Sequence, residues 1–170
     1  QLIASVLSKK IAAGSSNIVI DIPVGSTAKV RTIDMANELE KQFMSVATAL
    51  GIKLKIQMSD GSQPIGRGIG PALEARDVLS VLQNELHAPA DLRESALRLA
   101  GAILEFSPSV AAGNGYAMAK EILLSGRAWK KFQAICEAQG GMRELTTARY
   151  THTITAQHQG QITAIDNRQL

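Results

Sequence analysis

Ser5 and Lys9 stand four residues apart in the stretch ASVLSKKIAAG. On a helix that spacing projects a hydroxyl and an ammonium from one face, while Lys10 points about 100° away. Such a pair can steady oxygens that turn negative as a bond breaks, although the same pattern also describes a plain solvated face. Lys29, in GSTAKV just after an apolar run, is a third candidate. It reads either as a loop lysine or as a ligand. Asp60, at the end of a second apolar stretch, is a functional carboxylate or a loop cap. GRGIGP superficially resembles a dinucleotide fingerprint, but it lacks the third-glycine spacing, so a nicotinamide cofactor is not expected. Glu74 and Asp77 suit the N-terminal end of a helix without any catalytic role. His87, His152 and His158 lack metal-ligand spacing. Cys136, the only cysteine, sits in WKKFQAICEAQ and is read as a buried, inert thiol.

These residues need elements to position them. Leu2, Val6, Leu7 and Ile11 give helical spacing over residues 2–13, and Gly14 is a natural stop. NIVIDIPV, residues 17–24, is β-branched and almost continuously apolar, as in a strand covered on both faces. Thr32 is an N-cap for a helix running to Leu50, with Met35, Leu39, Phe43, Val46 and Leu50 on one face. A second strand follows at residues 52–58, then the loop GSQPIGRGIG, and Pro71 opens the next helix. Helix, strand, helix, strand with short connections predicts an α/β fold with a parallel sheet flanked by helices and right-handed crossovers. From about residue 90 three helical stretches follow without intervening strands. THTITAQHQGQITAIDNRQL, residues 151–170, reads as two short strands around Gln159-Gly160, the start of a C-terminal β region.

With 170 residues and 45% hydrophobic content, one compact unit is the default. Aromatics are only 4%, so the core must rest on aliphatic residues. A net charge of +3, with dispersed cations and no aromatic platform, argues against nucleic acid and fits small anions. No run reaches membrane-spanning length, so no membrane partner is expected. The lone cysteine and the absence of a signal-peptide pattern point to the cytoplasm. Opening on Gln1 with a helical pattern already under way, the chain reads as a fragment.

ASVLSKKIAAGSSNIVIDIPVGSTAKV followed by MSDGSQPIGRGIGPALEARDVL resembles the thymidine and pyrimidine-nucleoside phosphorylase family. The likeness is greatest to its type 2 branch, which includes the archaeal AMP phosphorylases. It is the ordered occurrence of SxxxKK, IDIPVGxTAKV and SDGSQPxGRGIGPALEA that makes the resemblance specific. It implies reversible phosphorolysis, in which phosphate displaces the base of a pyrimidine nucleoside such as thymidine, leaving 2-deoxyribose 1-phosphate. AMP phosphorylase, releasing adenine and ribose 1,5-bisphosphate, is the alternative, because IDIPVGSTAKV departs from the classical MDVKVGSGAFM-type wording. A noncatalytic nucleotide-binding module is a rival from another class. A phosphoribosyltransferase would need an acidic, magnesium-binding diphosphate motif, and none is visible.

The resemblance further implies a nucleoside phosphorylase α/β domain over residues 1–148, lacking its N-terminal part, and the start of a C-terminal domain at 149–170. It puts substrate binding on Ser5, Lys9 and Lys29, with the proton donor and the phosphate loop upstream of Gln1. No catalytic residue is therefore expected in this fragment. Some relatives hold a potassium ion, whose partial ligand set would fall on Ile65, Gly68 and Asp77. The aspartate is shorter than the usual glutamate, which weighs against potassium, and no cofactor is expected. Nucleoside or nucleoside monophosphate and phosphate are the implied small-molecule partners, and a homodimer is the implied assembly.

Overall fold

Two parallel strands and six helices make up the computed structural model, which describes residues 2–170. In chain order they are α1 (Leu2–Ala12), β1 (Asn17–Val24), α2 (Ile33–Ala49), β2 (Lys53–Asp60), α3 (Pro71–Leu82), α4 (Ala90–Leu104), α5 (Gly115–Leu124) and α6 (Arg127–Ala138). The fold class is α/β, as the alternation of patterns predicts. β1 and β2 pair in parallel without a slip, from Asn17 opposite Lys53 to Val24 opposite Asp60. Both strands therefore end together, and the loops that follow them start side by side.

The chain divides into two compact units: residues 1–63 with 96–119, and residues 64–95 with 120–170. In the first, Leu7 of α1, Ile18 of β1, Leu54 of β2 and Phe43 and Ala47 of α2 form one buried cluster. Ile3, Val6, Ile20, Leu39, Ile52 and Ile56 pack around it. One face of the sheet is thus apolar, with aliphatic side chains packed around a single phenylalanine, Phe43. The other face is polar: Lys55 pairs with Glu105 at 3.0 Å, Gln57 donates to the Arg98 carbonyl, and Ser59 donates to Asp21 at 2.9 Å. Residue parity in the strands explains the division, since alternate side chains point to opposite faces.

Thr32 caps α2 as expected, its hydroxyl oxygen accepting from the Met35 N–H. The apolar face of α2 is rotated from the one the sequence suggests. Ala36, Phe43 and Ala47 are buried, with Leu39 beside them, whereas Met35 is 51% and Leu50 53% exposed. Spacings of three and four from Phe43 select this stripe, and two alanines let the helix lie close to the sheet. Large side chains alone were a poor guide to the buried face.

In the second unit, α3 starts on Pro71 and ends near Asn84, whose φ of +57° places it in the left-handed region. The Asn84 amide donates to the Leu123 carbonyl at 2.8 Å, tying the end of α3 to α5. No strand forms in residues 149–170, which corrects the expectation of a hairpin there. Ile154 is 90% and Ile162 80% exposed. An alternating pattern says which face a strand would bury once paired, but two isolated strands bury too little to hold together.

Candidate functional site

At the carboxyl ends of β1 and β2 the main chains touch. A Cβ on Gly25 would lie 2.6 Å from the carbonyl carbon and oxygen of Gly61 and from the Ser62 nitrogen. One on Gly61 would lie 2.9 Å from the Pro23 Cβ. The Gly61 N–H donates to the Val24 carbonyl at 2.8 Å, extending the ladder one step past the strands. Only glycine permits this approach.

From that contact the loop after β1 closes on itself. The Ala28 N–H donates to Gly25 O at 2.9 Å, and the Gly25 N–H to Val30 O at 3.1 Å, beside a bridge between Val24 and Val30. Lys29 rides on this closed turn and is exposed. The loop after β2 is organised by Asp60, whose Oδ1 accepts from the Ser62 N–H at 2.8 Å. The Ser62 hydroxyl, and after it that N–H, hold the Asp60 carboxyl below its ordinary value of 3.8. Of the two roles the sequence left open for Asp60, the structure supports the loop cap.

Ser5 and Lys9 lie one turn apart on α1, both exposed, on the side away from buried Leu7. Lys10 is half-buried. Among the described residues the side chains of Ser5, Lys9 and Lys29 make no hydrogen bond or ion pair. All three belong to the same compact unit. They are unquenched groups, free to meet a ligand.

Within the second unit, the glycine-rich loop has a role that sequence reasoning missed. Four of its N–H groups are claimed by carboxylates. Asp77 Oδ2 accepts from Arg67 and Gly68 at 2.6 and 2.7 Å, Asp91 Oδ2 from Gly66 at 2.9 Å, and Glu74 Oε1 from Gly70 at 2.9 Å. The Arg67 guanidinium donates to the His87 carbonyl at 2.7 Å. The Gly68 and then the Arg67 N–H hold Asp77 below its ordinary value of 3.8. N–H groups spent on carboxylates cannot also cradle a phosphate, so this loop does not act as a dinucleotide-type anion site. One of the two Asp77 carboxylate oxygens is thereby committed to main-chain N–H groups. Among the described residues no three histidine, cysteine or acidic side chains group as metal ligands.

Curated relatives match this chain over all 170 residues. A protein of Legionella pneumophila (strain Corby) named putative thymidine phosphorylase is 60% identical, with the chain covering 33% of its length. Putative thymidine phosphorylase 1 of Acidovorax sp. (strain JS42) is 55% identical, and a protein of Chelativorans sp. (strain BNC1) named putative thymidine phosphorylase is 56% identical, each again covered over 33%. The chain is similar over its whole length to part of each of these proteins. No family model matches it. The chain spans about a third of the length of the curated relatives it matches.

These relatives align over the whole chain, so Ser5, Lys9, Lys29 and the glycine-rich loop all lie inside the matched stretch. A further structural residue now stands out: Glu105, just past α4. Its Oε2 pairs with Lys55, and its Oε1 accepts from the Gly113 and Gly115 N–H groups at 3.0 and 3.2 Å. Lys55, followed by Gly115, holds the Glu105 carboxyl below its ordinary value of 4.5. Its partner is fifty residues away, so no local spacing could have revealed it. His87, His152 and His158 are exposed, and Cys136 is half-buried on α6. No described helix is long and apolar enough to cross a membrane.

Proposed function

We propose that the protein containing this chain is a pentosyltransferase that carries out reversible phosphorolysis of a pyrimidine nucleoside. Thymidine and phosphate would give thymine and 2-deoxyribose 1-phosphate. A phosphate oxygen bonds to the anomeric carbon, the carbon–nitrogen bond breaks, and its electron pair leaves with the base, which is then protonated. The observation that carries this reading is the exposed, unpaired Lys29 on a closed turn at the strand end, in a chain matched throughout by relatives of that name.

Ser5 and Lys9 act on the base and Lys29 on the substrate in the same cleft. An ammonium and a hydroxyl near the oxygens of a departing base favour the charged transition state over the neutral substrate. Their removal should lower turnover as well as affinity. The base side of the cleft alone does not suffice, so the isolated 170 residues should be inactive. The whole protein works as a cytoplasmic homodimer, without a resident cofactor.

AMP phosphorolysis is the second reading, favoured by Lys29 itself. An exposed ammonium at a strand end suits a nucleotide phosphate as well as a base. Product assays of the whole protein with phosphate plus thymidine, uridine or AMP decide between them. Deoxyribose 1-phosphate from thymidine supports the first reading, and ribose 1,5-bisphosphate from AMP the second. A protein inert toward all three would instead favour a noncatalytic nucleotide-binding module.

A further inference from the structure

We propose that the Thr27 hydroxyl is a substrate-binding group, donating a hydrogen bond to an anionic oxygen of the ligand that Lys29 attracts. The inference rests on reading the loop from Gly25 to Val30 as part of the substrate site. Thr27 Oγ1 is a buried oxygen with no hydrogen-bond partner among the described residues. The turn does not need it, because the Gly25 and Ala28 N–H groups already close the loop through main-chain carbonyls. A buried hydroxyl left unpaired is destabilising, and native structures keep few of them without a reason.

Two of the other buried side-chain polar atoms make the contrast. Asn84 Oδ1 and Arg93 Nε belong to side chains whose remaining polar atoms are bonded, Asn84 Nδ2 to Leu123 O and Arg93 Nη2 to Glu85 O. Each of those groups is held in place by its other bond. Thr27 has one polar side-chain atom, and that atom is the unpaired one. It stands two residues from an exposed ammonium, on a turn fixed by glycine contacts. A hydroxyl donor and a cation on one rigid loop are the equipment for an oxyanion. That oxygen belongs either to the 5′-phosphate of a nucleotide or to a carbonyl of the base as it leaves.

The test compares Thr27→Val, Thr27→Ser and Lys29→Ala in the whole protein. Calorimetric binding of thymidine and of AMP is measured beside phosphorolysis of each. Thr27→Val should weaken binding, or raise KM, about tenfold for the true ligand, the size of one lost hydrogen bond to a charged group. Thr27→Ser, which keeps the hydroxyl, should stay within about threefold of the parent, and Thr27→Val should melt no lower than it. A loss confined to AMP assigns the 5′-phosphate; a loss with thymidine as well assigns the base. Parent-like binding and kinetics in Thr27→Val overturn the proposal, as does an equal loss in Thr27→Ser or a parent protein that binds neither ligand. If Lys29→Ala is also parent-like, the loop reading itself fails; if Lys29→Ala alone is impaired, only the role of Thr27 does.

Discussion

Removing the Asp77 carboxylate should loosen the glycine-rich loop locally, by an amount the geometry sets. Its Oδ2 holds two N–H donors at 2.6 and 2.7 Å, both short for an N–H···O contact. Hydrogen bonds to ionised groups contribute roughly 1.5–3 kcal/mol each, but this carboxylate is only half-buried, and water would replace part of the loss. For Asp77→Ala we therefore expect about 2 kcal/mol for both bonds together, some thirtyfold in local opening. Asp77→Asn keeps a neutral acceptor of the same shape, and neutral bonds are about half as strong, so its loss should be near 1 kcal/mol.

Amide hydrogen exchange at Arg67 and Gly68 reads these two bonds directly. Protection should fall in the order parent, Asp77→Asn, Asp77→Ala, while the Gly66 amide, held by Asp91, changes less. The pH dependence has a fixed sign. Because the folded carboxyl lies below its ordinary value of 3.8, its stabilising effect is complete above that value. It is lost as pH falls through the lower, folded value. Parent-like protection of Arg67 and Gly68 in Asp77→Ala at neutral pH would refute the clamp.

Gly25→Ala should destabilise the protein by about 3 kcal/mol, because the added methyl meets main-chain atoms that cannot rotate away; chemical denaturation measures it, and near-parent stability would mean the strand-end contact is looser. Phe43→Ala, which empties the largest fully buried side-chain site, should cost about 3–5 kcal/mol in the same assay. Glu105→Gln should lower the melting temperature at neutral pH, with the gap to the parent closing as pH drops below 4.5, since the folded carboxyl lies under that ordinary value. Lys9→Ala in the whole protein should lower kcat of phosphorolysis about a hundredfold if the ammonium meets charge that develops only in the transition state; unchanged turnover would dismiss that role.

Local signals were the legible ones. Thr32 announced α2, Pro71 opened α3, and NIVIDIPV gave β1 at its observed bounds. β2 was shifted, running to Asp60 rather than Met58, because Ser59 and Asp60 look like loop residues until pairing with Pro23 and Val24 holds them in the ladder. Candidate site residues Ser5, Lys9 and Lys29 could be placed on elements from spacing alone. What stayed hidden was long-range: Gly25 against Gly61, Gly66 on Asp91, Lys55 on Glu105. Each joins residues 25 or more apart, and a window of one helix turn or strand period cannot see such partners. The alternation in residues 151–170 misled for a related reason, since it describes a face without supplying what covers it.

A division of labour among the charges links these observations to function. In the second unit the acids beside the glycine loop are spent on main-chain N–H groups, and in the first Asp60 is spent the same way, while Glu105 divides its oxygens between loop N–H groups and Lys55. Among the described residues none of these carboxylates pairs with Lys9 or Lys29, which stay unpaired in their unit. In open water a charge pair 4 Å apart interacts by only about 1 kcal/mol, against about 4 kcal/mol near a partly dried protein surface. The unpaired lysines would thus contribute little to folding and would strengthen only when a ligand displaces the water around them. A cation of that kind discriminates by binding a charged or charging partner, which is the behaviour a departing base or a nucleotide phosphate calls for.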